Sequence, residues 1–454
     1  MARDLLKYKG VLTFTDEPEP LSDELLEGDE VESFIPMESG PMLTDYSENR
    51  RPFYLRESFP WTVEYANKRN YAEELLHICD QSEIQSWKKV GNALDVSEAR
   101  KIAEGVYSDV FIGEYKRTTA ILKLIPIGDE GQIDRSYENS FREAAAKLVV
   151  LKELTGLSEV HGGHSTEGFI QLNGAMVLKG HYPLSMIYAW RVYKQSMSSY
   201  KLNPTLFSPK QNYLLLAVEY GGITLREYEI ANIPQAYSIV YQLFAAIAVA
   251  EFRLSYEHRS LNVKNVLINC CDPNDTIRTT FAGSEIYIHT HGVKVKIISP
   301  SFCRMTKDVS SIYFDWESNE EFFMGENNLE EIAFQTMRMI NKNSWRPFCP
   351  TSNVLWLSYI IDYMHDRLTQ LQVDSPENRD EFLGHFKCLH LYDSAWKWTA
   401  AHIDNHMKKE IIERLLKQSS VLYQSSTDTQ LSTSFSAFNK EAQSLDDPKF
   451  APFT

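Results

Sequence analysis

The chain has 454 residues, of which 62 are Asp or Glu and 46 are Lys or Arg, and its formal net charge is −16. A hydrophobic content of 43% over this length is enough to bury a substantial core. The acidic balance excludes a dedicated nucleic-acid-binding protein, which needs a basic surface for phosphates. Much of the excess is local, because residues 1–50 hold 13 acidic and four basic side chains.

The sequence shows no targeting signal. No apolar stretch at its start is long enough for a signal peptide, and no run approaches the ~18 apolar residues of a membrane span. The six cysteines have no metal-ligand spacing, and the adjacent Cys270 and Cys271 could form a disulfide only with strained geometry. We therefore expect reduced thiols, no membrane partner and a nuclear or cytoplasmic location.

In chain order, the first half alternates between strands and helices after an acidic arm. Residues 1–60 are acidic, carry prolines and lack hydrophobic periodicity, so we expect this arm to be disordered. From about Trp61 the pattern changes to periodic segments. The predicted elements are a helix over Tyr71–Cys79, strands over Lys101–Ile102, Ser108–Tyr115 and Ala120–Ile127, a helix over Asn139–Leu154, and strands over Gly168–Val177 and Tyr213–Glu219.

The second half is predicted to be mainly helical. Pro234–Glu257 is apolar nearly all round, which is typical of a buried helix. Two short strands, Val266–Asn269 and Val293–Ile298, flank a polar insertion, and helices are expected after Phe322. Residues 418–454 are rich in Ser and Thr without periodicity, which predicts a flexible tail.

These elements predict an α+β, bilobal, protein-kinase-like fold. The small β-rich N-lobe, with an N-terminal extension, spans residues 61–222 and ends in the hinge Glu219–Gly222. The larger helical C-lobe spans residues 223–417. Two such lobes around a cleft are the architecture that phosphoryl-transfer enzymes use to hold a nucleotide.

Four short segments follow the order of the protein-kinase signature motifs. Gly105 lies at a strand turn, where a glycine-rich loop covers the phosphates, and Lys123 lies on the next strand pair, where a lysine contacts the phosphates of ATP. The segment His258-Arg-x-Leu-x-x-x-Asn265 has the spacing of the catalytic loop and is the most specific of the four. Lys296–Ser301 ends a strand at the place of the metal-binding triplet.

With these motifs in place, the chain resembles the haspin kinases over about Lys101–Met364. The family is one of atypical Ser/Thr kinases that use ATP and Mg²⁺ to phosphorylate the N-terminal tail of histone H3. The resemblance implies nucleotide contacts from Gly105, Val110, Lys123, Glu219 and Gly221. It is carried by Glu104-Gly-Val-Tyr107, Gly168-Phe-Ile170, Glu219-Tyr-Gly-Gly-Ile223, Glu257-His-Arg259 and Ser352-Asn-Val-Leu-Trp-Leu357.

The sequence departs from that family at positions that carry the chemistry. The resemblance places Ser260 where an aspartate accepts the substrate proton, and a serine hydroxyl cannot serve as that base at neutral pH. It places Ser299 where an aspartate binds Mg²⁺ and leaves Asn265 as the other metal position. Lys147 occupies the position of the helix glutamate that pairs with Lys123. The remaining changes are Ala103 and Ser108 at two loop glycines and Ile332 at an aspartate of a later helix.

We therefore interpret the chain as a haspin-like pseudokinase that acts by binding. Loss of a general base alone lowers a rate by roughly 10²–10⁴-fold. The alternative is a divergent but active Ser/Thr kinase in which a nearby acid replaces a lost one. Glu143 could pair with Lys123, and Glu257 and Asp308 are the acids closest in sequence to Ser260 and Ser299.

Two binding hypotheses follow from the altered cleft. Lys123, Lys147 and Lys264 could hold a nucleotide or phosphate without Mg²⁺, or their mutual repulsion could prevent nucleotide binding altogether. The segment Phe323–Asn328 keeps one acid, Glu326, where the family grips the basic histone tail with two. Binding of the histone H3 tail without its phosphorylation is therefore a second hypothesis.

Overall fold

A computed structural model describes residues 61–63, 70–105, 108–128, 139–197, 199, 201–307, 310–317, 323–324 and 328–402. The predicted acidic arm, the predicted tail, Asp308 and Glu326 lie outside the described residues.

The described chain forms fifteen strands and eight α-helices. The strands are β1 Trp61–Val63, β2 Gln85–Ser86, β3 Leu94–Glu104, β4 Asp109–Tyr115, β5 Thr118–Gly128, β6 Asn139–Ser140, β7 Leu172–Lys179, β8 Asn212–Val218, β9 Ile223–Thr224, β10 Val266–Cys270, β11 Thr276–Phe281, β12 Ser284–His289, β13 Val293–Ile297, β14 Arg304–Lys307 and β15 Ser310–Phe314. The helices are α1 Tyr71–Ile78, α2 Phe141–Thr155, α3 Leu184–Ser196, α4 Ile233–Leu254, α5 Leu329–Asn341, α6 Thr351–Gln370, α7 Pro376–His385 and α8 Ala395–His402.

A seven-stranded sheet organises the first lobe. Its order is β2-β7-β8-β5-β4-β3, with β6 beside β5. The β4–β5 hairpin turns through Lys116 and Arg117, both with positive φ, as a tight two-residue turn requires. In β8, Leu214 and Leu216 pack on one face of the sheet and Leu215 on the other. This uninterrupted apolar run therefore contributes side chains to two hydrophobic cores, one on each face of the sheet, because successive strand residues point to opposite faces.

Helix α4 organises the second lobe. It begins at Asn232, whose side chain accepts a hydrogen bond from the Gln235 backbone N–H, and most of its residues are buried. Helices α6, α7 and α8 pack around it. By length and composition α4 could cross a membrane, but 83% of its most apolar window is buried in the protein, as in a core helix.

Short strand pairs connect the helices of the second lobe to the cleft. Strand β10 pairs with β13 and β9. Strand β15 pairs with β14 and with β1. Between β10 and β13 the predicted polar insertion forms the hairpin β11–β12.

The predicted bilobal α+β fold is confirmed, and several element boundaries differ from the prediction. The predicted strand over Gly168–Val177 begins only at Leu172. The reason is that Gly168 and Ile170 exchange backbone hydrogen bonds with Ile297 instead of joining the N-lobe sheet. The helix predicted to reach Glu257 ends at Leu254, because Ser255 adopts a left-handed conformation (φ 45°). Helix α3 was not predicted.

The domain limits derived from the sequence remain predictions. All six cysteines lie in the described part of the chain, and none forms a disulfide.

Candidate functional site

The glycine-rich loop is anchored by a buried ion cluster at its base. The β3–β4 register places Glu104 opposite Asp109, and Lys101 bridges the two carboxylates at 2.8 and 2.7 Å. The Gly105 backbone N–H donates to the Ser108 carbonyl at 2.8 Å. The two ends of the loop are therefore held together by charge as well as by the strand pairing.

Helix α3 and the segments before and after it complete this cluster. The Tyr182 hydroxyl donates to Asp109 at 3.0 Å, and the Ser199 hydroxyl donates to Glu104 at 3.0 Å. The Lys101 ammonium also lies over the rings of Trp190 and Tyr193. Sequence reasoning missed this cluster. Had the strand predicted at Lys101–Ile102 been extended to Leu94–Glu104 and paired with the next strand, Glu104 would have been placed opposite Asp109.

Lys123 lies directly opposite Val110 in the β4–β5 pair. Directly paired residues of an antiparallel pair share a face of the sheet, so Val110 and Lys123 point the same way. Burial lowers the pKa of Lys123. Among the described residues Lys123 forms no ion pair with an acid, so the proposed rescue by Glu143 is not observed.

Glu143 is held by the start of α2 instead. Its carboxylate accepts hydrogen bonds from the Ser140 backbone N–H and hydroxyl, and the Ser140 hydroxyl accepts from the Glu143 N–H, which is a capping box. Lys147, one turn later, donates to the Asn139 side chain. Burial lowers the pKa of Lys147 to about 8; the Glu143 carboxylate opposes this shift and the Lys123 ammonium adds to it. The Lys123 ammonium is thus close enough to disfavour the charged form of Lys147.

The hinge after β8 is closely packed. The Glu219 carboxylate forms an ion pair with Lys296 at 2.8 Å and accepts from the Gln171 backbone N–H at 3.0 Å. A Cβ on Gly221 would lie 2.7 Å from the Leu267 side chain. Gly222 has φ +97°, and a Cβ there would overlap the carbonyl of Ile268. Gly222 is therefore a position that only glycine fits.

A buried ion pair frames the catalytic-loop segment. Glu257 accepts from Arg259 Nε and Nη2, both at 3.1 Å, from the Cys349 backbone N–H at 2.8 Å and from the Ser352 hydroxyl at 2.9 Å. Arg259 also donates to the Trp345 carbonyl at 2.6 Å. With four donors on its carboxylate, Glu257 is engaged in holding the loop and is not placed to replace a base at Ser260.

His258 ties this loop to the strand that precedes Ser299. Its backbone N–H donates to the Asn353 side chain, and its Nε2 lies 2.9 Å from the Ile298 carbonyl. Burial lowers the pKa of His258 to about 4, and its hydrogen bond to Ile298 opposes that shift. His258 is therefore neutral at pH 7 and acts as a structural link between the two serine positions.

Ser260 is buried inside this frame. Its Oγ has no hydrogen-bond partner in the described part of the chain. The Asn265 side chain donates to the Ser260 carbonyl at 2.8 Å, and the Ile298 N–H donates to the Asn265 carbonyl at 2.9 Å. Asn265 thus fixes the backbone on both sides of the loop.

Ser299 and Asn265 lie at the same end of the β10–β13 pair, in which Val266 is opposite Ile297. Ser299 has a left-handed backbone (φ 58°). The two positions offer a hydroxyl and an amide oxygen, both neutral, whereas Mg²⁺ is usually bound through one or two carboxylates. Across the described residues no three His, Cys, Asp or Glu side chains form a metal-binding group. At these two positions the described donors are therefore neutral.

The remaining predicted positions lie around the same loop. Lys264 lies in the turn between Asn262 and Asn265, and its backbone N–H donates to the Asn262 side chain. Ile332 lies in the first turn of α5, where its backbone N–H donates to the Asn328 carbonyl. The described positions thus comprise two lysines of lowered pKa in the first lobe and uncharged side chains at the predicted base and metal positions of the second.

Comparisons with known proteins agree with this geometry. A family profile described as haspin like kinase domain matches residues 62–428. The serine/threonine-protein kinase haspin of Mus musculus is 31% identical over 322 residues, which cover 70% of this chain and 42% of the mouse protein. The Drosophila melanogaster haspin homolog is 26% identical over 331 residues, covering 71% of this chain and 58% of that protein. The chain therefore matches roughly half of the length of these relatives.

Proposed function

This chain belongs to the haspin kinase family, and we propose that within it the protein acts by binding instead of by phosphoryl transfer. The observation that carries this is the state of Ser260. The loop around it is held by Glu257, Arg259 and His258, yet the side chain at the base position is a buried, uncharged hydroxyl. The family fold is intact while the group that would accept the proton has no charge.

Two separate parts of the chemistry are affected. A base orients the attacking hydroxyl and accepts its proton, and its loss costs roughly 10²–10⁴-fold in rate. Phosphoryl transfer also requires that the charge on the phosphates be neutralised, usually by a bound metal ion. Ser299 offers no carboxylate to bind that metal. A divergent active kinase would need other acids for both tasks. Glu143 and Glu257, the nearest described candidates, are engaged elsewhere.

A phosphotransfer assay tests the proposal. We expect the unmodified chain to match a Lys123→Met variant, and a Ser260→Asp/Ser299→Asp variant to exceed both by about 100-fold or more. The unmodified chain and the Lys123→Met variant share the same loop and metal positions, so their difference isolates lysine-dependent transfer. Phosphate transfer by the unmodified chain that Lys123→Met abolishes would establish the active-kinase alternative.

We also propose that the cleft takes a nucleotide weakly and without Mg²⁺. Lys123 has no acidic partner among the described residues, and the pKa values of Lys123 and Lys147 are both lowered. A bound phosphate would give Lys123 a counter-charge and would favour the charged form of both lysines. The neutral oxygens of Asn265 and Ser299 give a metal ion no comparable advantage.

Thermal-shift titration with ATP, with and without Mg²⁺, tests this second proposal. At ten times the Kd a ligand stabilises the folded state by about 1.4 kcal/mol. We expect a shift of that order without Mg²⁺, no increase when Mg²⁺ is added, and its loss in Lys123→Met. No stabilisation in either condition would show that the cleft does not bind nucleotide.

The proposed partner is a protein, and the resemblance makes the basic tail of histone H3 the first to test. Glu326, at the position of one tail-binding acid, lies outside the described residues. A histone partner implies a nuclear location. A pull-down with the unmodified tail peptide at low salt that gave no signal would exclude this partner.

A further inference from the structure

The outer face of α3 carries a stripe of exposed apolar side chains. Leu184, Tyr188 and Val192 are 84%, 71% and 46% exposed. Their spacing of four residues places them on one face of the helix. The opposite face of α3, with Met186 and Trp190, is buried in the N-lobe core. The stripe is therefore a surface feature of a well-packed helix.

The chain segment that carries this stripe has the opposite charge to the protein as a whole. No Asp or Glu occurs from Gly168 to Val218, a span that includes α3 and five basic residues. Two of these, Arg191 and Lys194, are exposed on α3 and form no ion pair with a described acid. An acidic segment with apolar side chains would match both features of this face.

The chain itself contains such a segment. Residues 16–48 hold 12 acidic residues and no Lys or Arg. Apolar side chains alternate with these acids, namely Leu21, Leu25, Leu26, Val31, Phe34 and Ile35. We propose that residues 16–48 dock on the outer face of α3, with these apolar side chains covering the stripe and the acids facing Arg191 and Lys194.

The connection is long enough for this contact. Ile35 and Trp61 are 26 residues apart, which corresponds to about 85 Å of extended chain. A folded unit of this size has a radius of gyration of about 20 Å and is roughly 50 Å across. Tethering gives the segment an effective concentration on the order of millimolar, so even a weak contact would be populated.

Docking would cover a helix that is linked to the glycine-rich loop. Trp190 and Tyr193 on α3 lie against the Lys101 ammonium, which bridges the two ends of that loop. The outer face of α3 is thus separated from the glycine-rich loop only by the helix itself. This places the contact next to the candidate site without requiring any residue of that site.

Site-specific photocrosslinking in the full chain tests the proposal. A photoreactive phenylalanine analogue replaces Tyr188, and a matched variant carries it at Tyr287, which is also exposed (58%) but lies in the β11–β12 hairpin. We expect crosslinked peptides from residues 16–48 at Tyr188 and none at Tyr287. Adding Arg191→Glu/Lys194→Glu should lower the yield about tenfold, because two surface ion pairs become repulsive.

Two outcomes would overturn the proposal. Absence of crosslinks to residues 16–48 at Tyr188 would exclude the arm as the occupant. In a mixture of isotopically labelled and unlabelled chains, crosslinks that join the two would identify a second copy instead of the chain's own arm. Equal melting temperatures of the Arg191→Glu/Lys194→Glu variant and the unmodified chain will show that any lost yield is not due to unfolding.

Discussion

Replacing Glu257 by alanine is expected to lower the free energy of unfolding by about 3–5 kcal/mol, because it leaves the buried Arg259 guanidinium without its counter-charge. The same change removes the acceptor for the Cys349 N–H and the Ser352 hydroxyl. Each buried donor left without a partner adds its own desolvation cost. Urea denaturation followed by tryptophan fluorescence gives the measurement.

The matched control is Glu285→Ala. Glu285 forms an ion pair with Arg278 at the same 3.1 Å separation, but both side chains are about half exposed. An exposed pair contributes only about 0–1 kcal/mol, so this variant should be nearly as stable as the unmodified chain. If the alanine variant does not fold, Glu257→Gln keeps the shape of the side chain and removes only its charge. Its loss of stability is expected to lie between those of the other two variants. Similar losses for Glu257→Ala and Glu285→Ala would contradict the view that the buried pair holds the loop.

Replacing Gly222 by alanine is expected to cost about 2–4 kcal/mol of stability. Its φ of +97° is unfavourable for any residue with a Cβ, and the added atom would overlap the Ile268 backbone carbonyl. Ile268 lies in β10, whose pairing with β9 joins the hinge to the second lobe. The hinge backbone would therefore have to move, and thermal unfolding should show a lowered melting temperature.

Gly384→Ala provides the control for this substitution. Gly384 lies within α7, and a Cβ at this position would meet no atom within 4 Å. Alanine is a better helix former than glycine, so this variant should gain about 0.5–1 kcal/mol. The same substitution is thus expected to lower the free energy of unfolding at Gly222 and to raise it at Gly384. A neutral Gly222→Ala variant would show that the hinge can adjust at little cost.

The residues that hold the loop are distinct from the residue predicted to accept the proton. Glu257, Arg259, His258 and Asn265 hold the loop through charge and hydrogen bonds that do not involve a nucleotide. Ser260 lies within this frame and contributes no charge. A protein built in this way can keep a kinase-shaped surface for a partner even if it transfers no phosphate.

Much of the architecture was predictable, because its signals are local in the sequence. The continuous apolar pattern of α4 predicted a buried helix, and the structure confirms one over Ile233–Leu254. The spacing from His258 to Asn265 predicted a loop before a strand, and β10 follows at Val266. Helix α3 escaped prediction because an apolar stripe on its exposed side masks the usual amphipathic pattern.

The cleft was less predictable, because its properties depend on contacts between distant segments. Glu143 stood within one turn of Lys147 in the sequence and was a candidate partner for Lys123, but the capping box with Ser140 holds its carboxylate at the helix start. The Lys296–Glu219 ion pair joins residues 77 positions apart. No periodicity or spacing indicates such a pair.

By itself, the sequence determined the family and the two-lobed plan, and it predicted uncharged residues at the catalytic positions, because these follow from residue types and short spacings. Only the tertiary structure decided which charges meet. It buries the Glu257–Arg259 pair, leaves Lys123 without a described acidic partner, and turns the apolar stripe of α3 outward. The reason is that a charge acts through its distance and burial, and both are set by the packing of segments that are far apart in the chain.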